Sequence, residues 1–274
     1  MQRIFAIIIS GLVVLIVSLL FAQLLGGFYI YNLVVGDNLP ISENTEVKAP
    51  IPPPSKKKVL RLEPIEFYTI QVGIFPDTTN AQDSLKKLTG LGLRPFVTSQ
   101  APYKIWVGCF SDVNSGKDLE NALKKHGFEA FIGKGIINDR ALKFPGDDDF
   151  ILDYMAPLLG TFDMILNHSL KMFQSPKIST YKPVVWDNMI DKLQNEVADG
   201  LGSLDEVLKI SGSGIYENEL KKLKDKAQAY QGSLGRIIDT RSDDEVVYCQ
   251  GHLLELIAAY HNLINLANEK LNNV

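Results

Sequence analysis

At 274 residues, with 46% apolar and 22% charged side chains, the chain can hold two small domains plus accessory segments. Its formal net charge of −4 leaves no broad basic field, which argues against nucleic acid as a partner. Cys109 and Cys249 stand far apart in different expected domains and read as unpaired thiols. His126, His168, His252 and His261 form no metal-ligand spacing with them, so neither metal nor cofactor is expected.

The first element is an anchor. Residues 4–35 carry no charged side chain, and a helix of on the order of 20 such residues crosses a bilayer core. Arg3 precedes the run and Asp37 follows it, so the positive-inside bias puts residue 1 in the cytoplasm and the later domains outside. A cleaved signal peptide would have an apolar core of about 7–15 residues ending in small residues spaced A-x-A. The longer run, and the lack of that spacing around Phe21-Ala22-Gln23, favour an uncleaved signal-anchor over residues 1–36, with residues 4–35 in the lipid bilayer. Residues 37–64 read as a Pro- and Lys-rich linker. Their Lys48-Ala-Pro-Ile-Pro-Pro-Pro-Ser-Lys-Lys-Lys58 stretch favours an extended spacer.

Next comes an internal repeat at an offset of 35. Tyr68-Thr-Ile-Gln-Val-Gly-Ile-Phe-Pro-Asp77 aligns with Tyr103-Lys-Ile-Trp-Val-Gly-Cys-Phe-Ser-Asp112. The register continues through Leu88 with Leu123, Gly92 with Gly127, and Pro95-Phe96-Val97 with Ala130-Phe131-Ile132. Each copy predicts a β-rich strand (67–75; 103–110) stopped at its Asp, then a helix with apolar residues at helical spacing. Those residues are Ala81, Leu85 and Leu88 in one copy and Leu119, Ala122 and Leu123 in the other. Gly92 or Gly127 supplies a left-handed cap, and a short strand closes the copy (93–98; 128–132).

The order β-α-β-β-α-β over residues 65–136 predicts a four-stranded antiparallel sheet with both helices on one face, a ferredoxin- or RNP-like arrangement. Strand alternation points Ile70, Val72, Ile105 and Val107 at the helices. Thr69, Gln71, Gly73, Lys104, Trp106 and Gly108 then face outward, with the first and third strands adjacent at the sheet centre. A Gln and a Trp side by side, with glycines leaving room, make a ligand platform. The alternative for Trp106 is burial beneath the linker or the C-terminal helices. For Tyr103, packing at the strand start and ligand contact both stay open. Phe75 and Phe110 read as core. An RNA-binding version of this topology would need a basic surface, which the balanced charge of the repeat does not provide.

These residues resemble the SPOR (sporulation-related repeat) family of bacterial envelope proteins. The likeness rests on Tyr68-Thr-Ile-Gln71-Val-Gly73-Ile-Phe75, Asn80-Ala81, Leu85 to Leu88 and Gly92-Leu-Arg-Pro-Phe96. Tyr103-Lys-Ile-Trp-Val-Gly108-Cys-Phe110, Leu119 to Leu123 and Gly127-Phe128 complete it. The resemblance implies binding to septal peptidoglycan, to glycan strands stripped of stem peptides, with Gln71 matching a typical family contact. Chemically, Trp106 offers a ring to sugar C–H faces and Gln71 an amide to acetamido groups, while Lys104 can meet a muramic carboxylate. Gln71, Gly73, Tyr103, Lys104 and Trp106 are the expected glycan-binding residues. The family plan of anchor, tether and external repeat fits; the long C-terminal region departs from it.

Residues 147–274 turn helical. Helices are expected at about 149–173, 184–210 (weakened near Gly200 and Gly202), 216–237 and from 242 onward. The last begins with a capping box, Ser242-Asp-Asp-Glu245. Four amphipathic helices with short turns predict an antiparallel bundle, and an α+β class for the whole. Asp147-Asp148-Asp149 and Asp243-Asp244-Glu245 read as helix N-terminal charge, and Glu196 with Asp199 as solvated surface. No nucleophile-and-base or paired-acid grouping stands out, so no enzyme is expected. The leading expectation is a membrane-anchored peptidoglycan-binding factor of the division or sporulation septum, with the bundle binding a partner protein. The runner-up is an envelope adaptor without glycan binding, and a wall hydrolase or its activator in the bundle comes third.

Overall fold

A computed structural model describes residues 57–62, 64–137, 141–145, 149–174, 177–210 and 214–272. The expected anchor and most of the tether lie outside these residues, and among the described ones no helix is long and apolar enough to cross a membrane. The elements are β1 (Lys57–Arg61), β2 (Ile65–Phe75), α1 (Thr78–Gly90), β3 (Phe96–Val97), β4 (Tyr103–Phe110), α2 (Lys117–Lys125), β5 (Phe131–Ile137) and β6 (Ala141–Pro145). Then follow α3 (Ala156–Met172), led in by a π-helical turn at Ile151–Met155, α4 (Pro183–Lys209), α5 (Glu217–Thr240) and α6 (Asp243–Asn272).

The central sheet is antiparallel in the order β3-β4-β2-β5, so the first strands of the two repeat copies, β2 and β4, are neighbours at its centre, as expected. Ile70, Val72, Ile105 and Val107 pack with Ala81, Leu88 and Leu123 of α1 and α2 in a core between sheet and helices. The repeat's aspartates do the same job twice. Asp77 accepts from the Asn80 amide at 2.9 Å, and Asp112 from the Asn114 and Ser115 amides at 2.8 and 3.1 Å. Asp77 thereby caps α1, and Asp112 holds the 3-10 turn Asn114–Gly116 that leads into α2. The bond from the Ser115 hydroxyl holds the Asp112 carboxyl below the ordinary aspartate range. Gly92 and Gly127 take φ of 77° and 84°, the left-handed conformation that ends α1 and α2.

Two boundaries differ from expectation. Lys57–Arg61, inside the segment read as linker, is a strand paired with β6, Lys57 opposite Pro145 and Arg61 opposite Ala141. The helical region also does not keep a core of its own. Ile65, Phe67, Cys109 and Ile137 on the sheet share one core with Met155, Phe162, Trp186, Tyr230, Leu253 and Tyr260 of the helices. All described residues fall within one unit, Pro53–Val274. Ile65, Phe67 and Ile137 are buried at about 1.5–3 kcal/mol each, so the helices are docked on the sheet rather than loosely strung beside it. Arg94 reinforces the seam through Glu255 (2.7 Å), which also takes Lys226 (2.9 Å).

Within the bundle α4 runs unbroken through Gly200. A Cβ there would stand 2.8 Å from Ile165, so the glycine serves close helix packing and not a weak point. The capping box is half made: the Ser242 hydroxyl accepts from the Asp244 amide (3.2 Å), while Glu245 turns to Arg236 (3.1 Å).

Candidate functional site

The outer face of the sheet, opposite α1 and α2, is where alternation places a ligand. Directly paired residues of antiparallel strands share a face. Gln71 pairs with Trp106 on one side and Phe131 on the other, and Trp106 pairs with Phe96. The result is a row across all four strands, Phe96–Trp106–Gln71–Phe131, roughly 14 Å long at ~4.8 Å per strand. On one side of the row the face is covered, because Ile65, Phe67, Thr69 and Cys109 lie under α3 and α6. Beyond its other side the face is open, with Thr98 and Lys104 half-buried and Ile74 55% exposed.

The fully open platform expected from the sequence is therefore corrected to a half-open one. The helices use the apolar end of the face as part of their core. Gln71 is 6% exposed, Trp106 is half-buried with Phe67 and Phe96 rings 6.3 and 5.9 Å away, and Phe131 is 49% exposed. Lys104 shares the face of Trp106, as expected.

Gly73 and Tyr103 do not reach this surface. The pairing shifts by one residue between Gln71 and Gly73, leaving Gly73 opposite Ile105 and Phe75 opposite Tyr103. That β-bulge turns Gly73 toward the α1–α2 side, where plain alternation with Ile105 and Val107 already places Tyr103. Gly73 instead lines, beside Gln71, the groove at the edge of β2, where the Phe75 ring occupies the space a Cβ would take. Its repeat mate Gly108 sits at a second register shift with φ of 71°, and a Cβ there would meet Phe110 at 2.8 Å and Gln250 at 3.2 Å. Phe110 is fully buried, and Phe75 packs half-buried against the same core.

Phe96 and Phe131 were not singled out as site residues. Their signal was present: they are repeat mates on the two short strands, and each ends up beside a central residue of the row.

Two grooves flank the row. One wraps the edge of β2 past the last β5 pair, lined by Gln71, Gly73, Ile74, Phe75, Lys87, His126 and Phe131. The other, about 300 Å³, lies where Trp106 and Phe96 meet α6.

The titratable groups offer little chemistry. Both cysteines are free, and burial pushes the Cys109 thiol up and that of Cys249 up to about 12, so neither supplies a thiolate at neutral pH. Glu196, read as solvated surface, instead meets His168 at 2.8 Å. Among the described residues no three His, Cys, Asp or Glu side chains gather as a metal site.

The strand order, paired helices and half-open face define a small sheet-based binding module. Residues 64–134 match the model of the SPOR domain, which covers about a quarter of the chain, and that segment is a SPOR domain. A SPOR domain is a binding domain and not a catalytic one. No curated protein matches the chain. Among solved structures, the chain is similar to the peptidoglycan binding domain of the B. subtilis cell wall lytic enzyme CwlC. The two are 23% identical with a TM-score of 0.25, over 28% of this chain and 98% of that one.

Proposed function

We propose that this protein binds peptidoglycan through its SPOR domain, taking glycan strands stripped of stem peptides. In this reading residues 4–35 anchor it in the cell membrane, the described domains lie outside, and it acts at the division or sporulation septum while its helices bind a partner protein. The observation that carries the reading is the row Phe96–Trp106–Gln71–Phe131 on the SPOR sheet. Aromatic rings suit the C–H faces of sugars, and the central amide can both donate to and accept from an acetamido group. Lys104, one step beyond the row, suits the muramic carboxylate.

The test is co-sedimentation of the full chain with amidase-stripped sacculi, together with imaging of a fluorescent fusion. Gln71→Ala and Phe131→Ala are expected to abolish both sedimentation and septal enrichment. Unchanged sedimentation would sink the glycan reading. One observation favours a second reading, an envelope adaptor without glycan binding: the helices already occupy half of the outer face. Under it, septal enrichment survives both substitutions.

A further inference from the structure

The groove between Trp106 and α6 is lined from two sides. Phe67, Phe96, Trp106 and the Thr98-Ser99-Gln100 turn come from the SPOR domain, and Ile257, Ala258, Asn262 and Asn265 from the last helix. Phe96 and Trp106 form an aromatic floor with ring centroids 5.9 Å apart. Gln100, Asn262 and Asn265 are exposed and bring three primary amides to the rim.

In a chain with 22% charged residues, this lining contains no Asp, Glu, Lys or Arg among the described residues. His261 is its one titratable side chain, so an anionic peptide or a nucleic acid would find no permanent counter-charge in the lining. A neutral, amide-bearing ring would find an apolar floor with donors and acceptors at its edge. At about 300 Å³ the groove is at the lower end of small-ligand sites, which suits a single hexosamine unit. Lys104 lies just past the Thr98 end, its amide donating to the Thr98 hydroxyl at 2.9 Å, so a neighbouring sugar's carboxylate has a cation to meet.

We infer that the glycan site is composite. The N-acetylhexosamine at one end of the strand sits between the Trp106–Phe96 floor and an amide wall, Asn262 and Asn265, supplied by the C-terminal helix. This rests on the glycan reading above and assigns the helical region a direct part in ligand contact.

The experiment uses the full chain and amidase-stripped sacculi. Asn262→Ala with Asn265→Ala removes two exposed amides, so the thermal melt should match wild type. Binding should weaken about tenfold, the equivalent of two ordinary hydrogen bonds. Gln100→Ala, on the facing wall, should weaken it by a smaller factor. Wild-type affinity in the Asn262/Asn265 variant, with loss in Gln71→Ala, would show that the sheet alone holds the glycan and would overturn the composite site. If the unmodified protein fails to sediment, the glycan reading itself falls, and the inference with it.

Discussion

The two repeat copies share one pattern, with Tyr, Ile, Val, Gly, Phe and Asp at matched positions, and end in different surroundings. Phe110 is fully buried while its mate Phe75 is half-buried; Phe96 packs beside Trp106 while its mate Phe131 stands 49% exposed. Gly108 faces Phe110 of its own copy and Gln250 of α6, whereas the nearest neighbour of Gly73 is its own copy's Phe75. Arg94 is clamped by Glu255 and Tyr248 of α6, but its mate Glu129 is exposed. The cause lies in one later element. Helix α6 crosses β3 and β4 and leaves the start of β5 uncovered, so it breaks a symmetry the repeat alone would keep.

That asymmetry can be broken or sharpened by paired substitutions. The largest difference is expected at the phenylalanines: Phe110→Ala should cost about 3–5 kcal/mol and Phe75→Ala roughly half as much, read from urea unfolding. As a reference for a left-handed glycine in open space, Gly127→Ala pays only the backbone penalty, about 1 kcal/mol, since nothing lies within 4 Å. Gly108→Ala adds the clash with Phe110 and Gln250, for roughly 2–3 kcal/mol in all. Arg94→Ala should cost about 1–2 kcal/mol by leaving Glu255 with only Lys226, and Glu129→Ala should stay within about 0.5 kcal/mol.

The smallest effect at neutral pH is at His252, on the α6 side of the seam. Burial, with Arg94 adding to it, pulls its imidazole from the usual 6.5 down to about 4, and Arg236, Lys226 and Glu255 are the other charged groups facing it. The unfolded chain takes up this proton first, so stability is intact above pH 6.5 and declines as pH falls toward 4. Thermal melts across that window should show the slope in the native protein and a shallower one in His252→Leu.

Much of the fold was legible because the repeat states its own alignment. Two strands of period two, each stopped at an aspartate ahead of a helix, and two glycine caps recur in step, and the central β2–β4 pairing follows from the topology. The sidedness of Gln71 and Trp106 was legible too. The bulges were not legible: a glycine inside a strand can mark a register shift or leave space for a ligand, and the sequence does not separate the two at Gly73 and Gly108. The docking of α6 was harder. An apolar stripe says that a helix buries one face, not what it buries it against. A hint was there in Leu253-Leu-Glu-Leu-Ile-Ala-Ala-Tyr260, apolar around more than one face, as a helix covered on two sides must be. Asn262 and Asn265 gave no sequence signal, because an exposed amide on a helix looks the same whether or not a groove runs beside it.

The β1–β6 ribbon has a mechanical consequence. Lys57 and Pro145 are paired partners, so the polypeptide enters and leaves the SPOR module through a single doorway about 5 Å wide. A pull arriving from the N-terminal side passes at that doorway into the stretch leading to α3, without crossing the sheet. Under such a pull the ribbon peels one pair at a time, and the four strands of the central sheet stay out of the line of force.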